Sequence, residues 1–272
     1  MMTPPRAPDE LLGQIQTALD ELGLTEMRGA LEERLAETTP DLTRLEWLWL
    51  LVEPQVRGRR ERRLERRIRE ARLPARKTLS QFEFEFQPKL DRDLVFELAT
   101  LRFVSEGKNL LLAGMSGTGK THIALALGLL ACMANRRVLY TTSAEMLADL
   151  NASLADSTLA DAIKAYTRPD LLILDEVGLE QVERKVTSHS GLMQKVLFPR
   201  YQARRSTLIT SNIPWEAWGE YLDDHLGATA ILDRLIHHSH VIVIDGPSYR
   251  DRAHRLEVEK RQIEKKKGRA KT

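Results

Sequence analysis

A chain of 272 residues, 42% apolar and 29% charged, has room for one large domain or two smaller ones and excludes a disordered or membrane class. The single cysteine, Cys132, excludes an internal disulfide and a cysteine-rich zinc site; the N-terminus lacks a secretory leader, and the longest near-apolar run has 12 residues (123–134) where about 20 span a bilayer, so the expectation is a soluble cytoplasmic protein. The net charge of +2 is unevenly spread: residues 57–77 hold 11 Lys/Arg against 3 acids, residues 250–272 hold 10 against 4, and the other 228 carry −12.

Residues 10–52 read as short helices, with Leu11, Leu12, Ile15 and Leu19 at helical spacing and an apolar stretch around Trp47 and Trp49. Pro40 with Asp41, and Pro54 with Gly58, are expected to punctuate them. Next comes a basic helix, RGRRERRLERRIREARLPARK, with a narrow apolar stripe of Leu64, Ile68 and Ala71 and arginine around most of its circumference. Pro74 should end it. Ten arginines in 21 residues exceed what solubility needs. Arg59, Arg60, Arg62, Arg63, Arg66 and Arg67 are therefore candidate contacts to a DNA phosphate backbone. Residues 75–90 read as a linker in which Phe82, Phe84 and Phe86 form either a short strand or an aromatic strap onto the next domain.

From residue 91 strands alternate with helices. Strands are predicted at 109–113, 137–142, 171–174, 206–210 and 240–244. Helices are predicted at 121–134, 144–154, 160–166, 192–203 and, in two parts, 215–235. Five apolar strands with helical crossovers imply an α/β fold whose largely parallel sheet is covered on both faces. The organisation expected is a helical N-terminal domain over 1–78, an α/β domain over 79–249 and a loose basic tail over 250–272.

The run Gly114, Met115, Ser116, Gly117, Thr118, Gly119, Lys120, Thr121 fits the phosphate-binding pattern G-x-x-x-x-G-K-[ST], coming after a predicted strand and opening a predicted helix. Its glycines let several backbone amides face one phosphate chain at a helix N-terminus. Lys120 is then the counter-charge for the β- and γ-phosphates of ATP, and the Thr121 hydroxyl a ligand of Mg²⁺. LLILDE puts two carboxylates at the C-terminal end of a buried strand. Asp175 is the expected Mg²⁺ group and Glu176 the candidate base for the attacking water. TLITSN ends another strand in Asn212, placed to hydrogen-bond that water or the γ-phosphate. Arg234, in LDRL, reads either as a surface residue or as a catalytic finger. His237, His238 and His240 are read as helix-end side chains rather than a metal cluster, and Trp215 with Trp218 as a packing face.

These motifs, together with ARLPARKTLSQFEF, ITSNIPWEAWGE and ILDRLIHHSHVIVIDGPSYR, resemble the IstB-like ATP-binding proteins of bacterial insertion sequences. They form a branch of the AAA+ ATPases near the DnaC-type helicase loaders. The resemblance covers about residues 64–250. It implies an AAA+ P-loop domain, hydrolysis of ATP with Mg²⁺, Asn212 as the sensor of the γ-phosphate and Arg234 as a finger reaching a neighbouring subunit's nucleotide. It further implies double-stranded DNA, a partner transposase and an ATP-dependent head-to-tail oligomer of the chain itself as partners. Met115 and Ser116 stand where many relatives have prolines. The 27 residues after Asp245 are too few for a C-terminal lid domain of normal size, and a lid arginine is missing unless Arg250 takes its place. Residues 180–190 are polar, a DNA-facing loop or a surface insertion. The function expected is an ATP-dependent helper of transposition that aids target selection. A replicative helicase loader is the alternative. A metabolic P-loop kinase is disfavoured by the basic ends and by Asn212 and Arg234.

Overall fold

The computed structural model describes residues 8–36, 42–178, 189–252 and 257. They fall into two compact units, Met1–Arg66 and Arg67–Thr272.

The first unit is helical. Helices α1 (Pro8–Glu21) and α2 (Thr25–Ala36) close a small core of Leu19, Leu31 and Leu51, the last carried by α3 (Arg44–Glu70). Thr43 and Glu46 start α3 as reciprocal caps: the Thr43 amide donates to Glu46 Oε2 at 2.8 Å, and the Glu46 amide to Thr43 Oγ1 at 3.3 Å. Contrary to expectation, α3 runs through Pro54 and Gly58 for 27 residues. Local packing explains this. The buried Gln55 carboxamide accepts from the amides of Glu26 and Met27 at 3.1 and 3.3 Å, capping the first turn of α2. A Cβ on Gly58 would come within 2.6 Å of Glu26 Oε1, so this glycine admits a neighbouring helix rather than ending its own. Pro40 and Asp41 lie outside the described residues.

In the second unit, two 3₁₀ turns (Leu79–Gln81 and Phe84–Phe86) precede α4 (Arg92–Ala99) and α5 (Arg102–Glu106). Then come β1 (Asn109–Gly114), α6 (Lys120–Met133), β2 (Val138–Thr142), α7 (Ser143–Ala155), α8 (Leu159–Thr167) and β3 (Leu171–Val177). The chain continues with α9 (His189–Gln202), β4 (Ser206–Ser211), α10 (Trp218–Tyr221), α11 (His225–His237) and β5 (Ser239–Ile244). All five predicted strands are present. They pair in parallel in the order β2-β3-β4-β1-β5.

Near-continuous apolar strands suit a sheet covered on both faces. Leu111, Leu172, Leu174 and Ile209 pack with α7, α9 and α11 in the main core. Their neighbours Leu110, Leu112, Ile173 and Leu208 are equally buried and point to the opposite face, where α6 lies. Arg200 of α9 is 1% exposed. It donates to the carbonyls of Tyr166, Pro169 and Ser206 and to Thr207 Oγ1, tying α8 and its exit loop to the start of β4. Among the described residues no helix is long and apolar enough to cross a membrane.

Two expected boundaries move. Residues 67–78 belong with the second unit: Ala71 is fully buried and its carbonyl accepts from the Tyr140 amide at 2.8 Å. At the other end, Tyr249 and Arg252 fold back against Glu83, so the α/β unit continues beyond residue 249. Within 75–90 no strand forms. The three phenylalanines make the aromatic strap instead.

Candidate nucleotide site

Parallel pairing places the C-terminal ends of β3, β4 and β1 side by side, and each residue expected to serve the nucleotide, except Arg234, emerges there. Residues 114–121 curl from β1 into α6 with Gly114, Gly117 and Gly119 at φ values of 149°, 80° and 100°, a left-handed course that favours glycine. At Gly119 the constraint is also steric, because a Cβ there would meet the Phe82 ring at 2.5 Å.

Lys120 is 4% exposed, its Nζ donating to the carbonyls of Gly114 and Met115 at 2.7 and 2.8 Å. Burial pulls its pKa down to about 8; Asp175 opposes the shift, while the cationic Arg250 adds to it. Thr121 Oγ1 donates to Asp175 Oδ1 at 3.1 Å. Asp175 is fully buried and takes two further hydroxyl donors, Tyr140 at 2.8 Å and Thr210. Burial first, and then the Asp175 charge, push the Tyr140 hydroxyl pKa well up, keeping the phenol a donor. Thr210 also accepts from the Glu176 amide at 2.9 Å, so one hydroxyl fixes both acids of β3. Glu176 has φ 62° where β3 is irregular against β4.

Lys120, Thr121, Glu176 and Asn212 line one cavity of about 290 Å³ together with Ser116, Phe82, Tyr249 and Arg250. A glycine-rich loop, a lysine, a hydroxyl backed by the buried Asp175, and the Glu176 carboxylate around one space can hold a polyphosphate, a cation and a water. Arg234 is elsewhere. Its guanidinium lies over the Phe198 ring, Cζ 4.1 Å from the centroid, and Nη1 donates to the Ala230 carbonyl at 2.9 Å.

The strap and the C-terminal segment, which sequence reasoning places outside the site, form its near wall. Phe82 packs edge-on to His122 and Tyr249, with centroids 5.4 and 5.8 Å away. The Tyr249 amide donates to the Gly117 carbonyl at 2.8 Å, and Arg250 Nη1 to Ser116 Oγ at 3.3 Å. Tyr140 and Thr210 also escape sequence reasoning; each is an unremarkable strand residue whose partner becomes visible only once the strands are aligned.

Arg59, Arg60, Arg62, Arg63 and Arg66 are exposed on α3, while Arg67 is half-buried. Arg62 pairs with Glu26. Trp218 is buried against Trp215, its indole nitrogen donating to Ser211 Oγ at 3.3 Å, a packing role. The rings of His237 and His238 meet at a tilt of 59°, with centroids 4.1 Å apart. Residues 179–188, most of the polar loop, lie outside the described residues.

Comparison with known proteins agrees with this geometry. The family described as IstB-like ATP binding protein matches residues 17–257. An insertion sequence IS21 protein of Pseudomonas aeruginosa is 38% identical over 238 residues, 87% of this chain and 88% of its own. An insertion sequence IS5376 protein of Geobacillus stearothermophilus is 32% identical over 225 residues, 83% of this chain and 88% of its own. Among solved structures, DnaI is similar with a TM-score of 0.51 and 26% identity, over 62% of this chain and 91% of that one. AMPPCP-bound DnaA from Aquifex aeolicus is similar in fold, with a TM-score of 0.51 and 22% identity over 64% of this chain and 51% of that one.

Proposed function

Because the chain belongs to the IstB-like ATP-binding family, whose members here are insertion-sequence proteins, we propose that it is a DNA-binding ATPase that assists a transposase in engaging its target. The observation that carries the ATPase reading is the hydrogen bond to the buried Asp175 from Thr121, which lines one cavity with Glu176 and Asn212. The site's chemistry suits Mg²⁺. Its donors are hard oxygens, and a fully buried carboxylate is oriented by three hydroxyls. Thr121 and Asp175 would hold the ion, which when bound offsets charge on the phosphate oxygens.

The protein's own groups do the rest. Amides of residues 115–120 cradle the phosphates, and Lys120 exchanges its two carbonyl acceptors for β- and γ-oxygens. Glu176 accepts a proton from the attacking water while Asn212 orients that water. Arg250, at the cavity wall on a segment beyond the last strand, adds a cation from the same chain. Arg234, turned away from its own cavity, serves that of the next copy in a head-to-tail assembly, a contact that builds rings or filaments. The exposed arginines of α3 bind duplex DNA through its backbone.

Glu176→Gln tests the coupling of these parts. An amide cannot take the proton, so the variant should bind ATP, fail to hydrolyse it and stay on duplex DNA longer than the parent. Release from DNA at the parent rate with ATP still bound would separate the nucleotide cycle from DNA binding.

A further inference from the structure

Parallel pairing also gathers the five strand entrances along one edge, opposite the nucleotide site. Four of the five strands are entered past a Lys or Arg, Lys108 before β1, Arg136 and Arg137 before β2, Arg168 before β3, and Arg204 and Arg205 before β4, while β5 is entered past the imidazoles of His237 and His238. This is notable in a chain whose residues outside the two basic segments carry −12. The acids of this rim are already engaged. Glu106 holds Arg102 at 2.6 Å and Lys108 at 2.8 Å, and Asp170 holds Arg137 at 2.9 Å.

Between the β1 and β4 entrances the rim opens into a groove of about 800 Å³, lined by Lys108, Arg204, Arg205, Tyr201 and His238, with Glu106 as its acid. Arg205 donates to the Thr167 carbonyl, half-buried Lys108 shares Glu106 with Arg102, and Arg204 stands toward solvent. The rings of Tyr201 and His238 are nearly parallel, 6.2 Å apart at 21°, and the Tyr201 hydroxyl lies 3.2 Å from His237 Nδ1.

We propose that this basic rim and its groove are a second DNA-binding surface, carried by the ATPase unit and separate from the arginines of α3. The chemistry recognised is the phosphodiester backbone. The four strands entered past Lys or Arg are adjacent in the sheet, and at about 4.8 Å spacing they make an edge about 14 Å long, along which duplex DNA presents one charge per about 1.7 Å. A row of cations of that length meets several phosphates at once. The stacked Tyr201–His238 pair adds flat rings that suit sugar and base edges better than an acidic peptide. The proposal rests on the DNA-binding reading above and extends it to a surface that the nucleotide-binding unit itself carries.

The test uses the full-length chain, a labelled duplex oligonucleotide and salt from about 50 to 200 mM, with ATP binding as the control for folding. Lys108→Gln/Arg204→Gln/Arg205→Gln should lower the slope of log affinity against log salt by about 2 to 3. Lys108→Gln/Arg204→Gln, which spares the Arg205 bond to Thr167, should lower it by about 2. Arg59→Gln/Arg60→Gln/Arg62→Gln/Arg63→Gln should lose a different part of the slope and keep this one. Folded groove variants with the parent slope would overturn the proposal and leave these cations as partners of helix carboxyl ends. An unchanged slope with lost binding to the transposase would overturn it in favour of an acidic protein surface. If only the α3 variant loses slope, this inference fails and the proposed function stands; a parent chain that binds no DNA removes both.

Discussion

Tyr140 donates its hydroxyl to Asp175 Oδ2 at 2.8 Å, reaching from the edge strand β2 to the acid expected to serve the cation. Hydrogen bonds to a charged group contribute about 1.5–3 kcal/mol, and here the bond orients a carboxylate rather than touching nucleotide. Tyr140→Phe should raise the Mg²⁺ concentration for half-maximal ATP turnover about tenfold, with the maximal rate at saturating Mg²⁺ largely kept. ATP binding measured without Mg²⁺ should not change. A variant that loses both equally would make Tyr140 a packing residue.

Lys120 predicts a pH dependence. Burial lowers its pKa from 10.5 to about 8 in the free protein, and phosphate oxygens in place of two neutral carbonyls would raise it again. Binding ATP near or above pH 8 therefore takes up a proton, and affinity should fall as pH rises through that range. Calorimetry in two buffers of different ionisation enthalpy reads the uptake directly. Lys120→Ala should abolish productive binding.

Much of the site is legible in the chain. The P-loop, LLILDE and TLITSN each join a strand to residue types whose chemistry is specific, and the parallel sheet brings them together. Non-local relationships are not legible. Pro54 and Gly58 signal a break, yet both lie inside α3, because Gln55 and the tight approach of Glu26 bind that turn to α2. Phe82 and Tyr249 are 167 residues apart in sequence and meet at Gly119 only in the fold. Arg200 resembles any helix-end arginine until its neighbours are known.

That arginine predicts a cost in stability. Arg200→Met removes the donors of three backbone carbonyls and Thr207 in a dry interior, so folding stability should drop by about 2–4 kcal/mol. Denaturant titration checks it. An unaffected midpoint would mean that water reaches those carbonyls.

Arg250→Ala should weaken ATP binding while leaving ADP binding nearly intact, if its charge faces the terminal phosphate from the cavity wall. Equal losses for both nucleotides would place it against the inner phosphates, and no loss would confine it to Ser116.

In the proposed head-to-tail assembly one chain supplies Glu176 and the next supplies Arg234. Arg234→Ala should bind ATP and hydrolyse it poorly, as should Glu176→Gln. Steady-state ATP turnover, measured across mixing ratios of the two variants with duplex DNA present, tests the claim most directly. Turnover should rise above both parent baselines, highest at intermediate ratios, because some interfaces then pair an intact Glu176 with an intact Arg234. Mixed oligomers that form yet never exceed those baselines would contradict it.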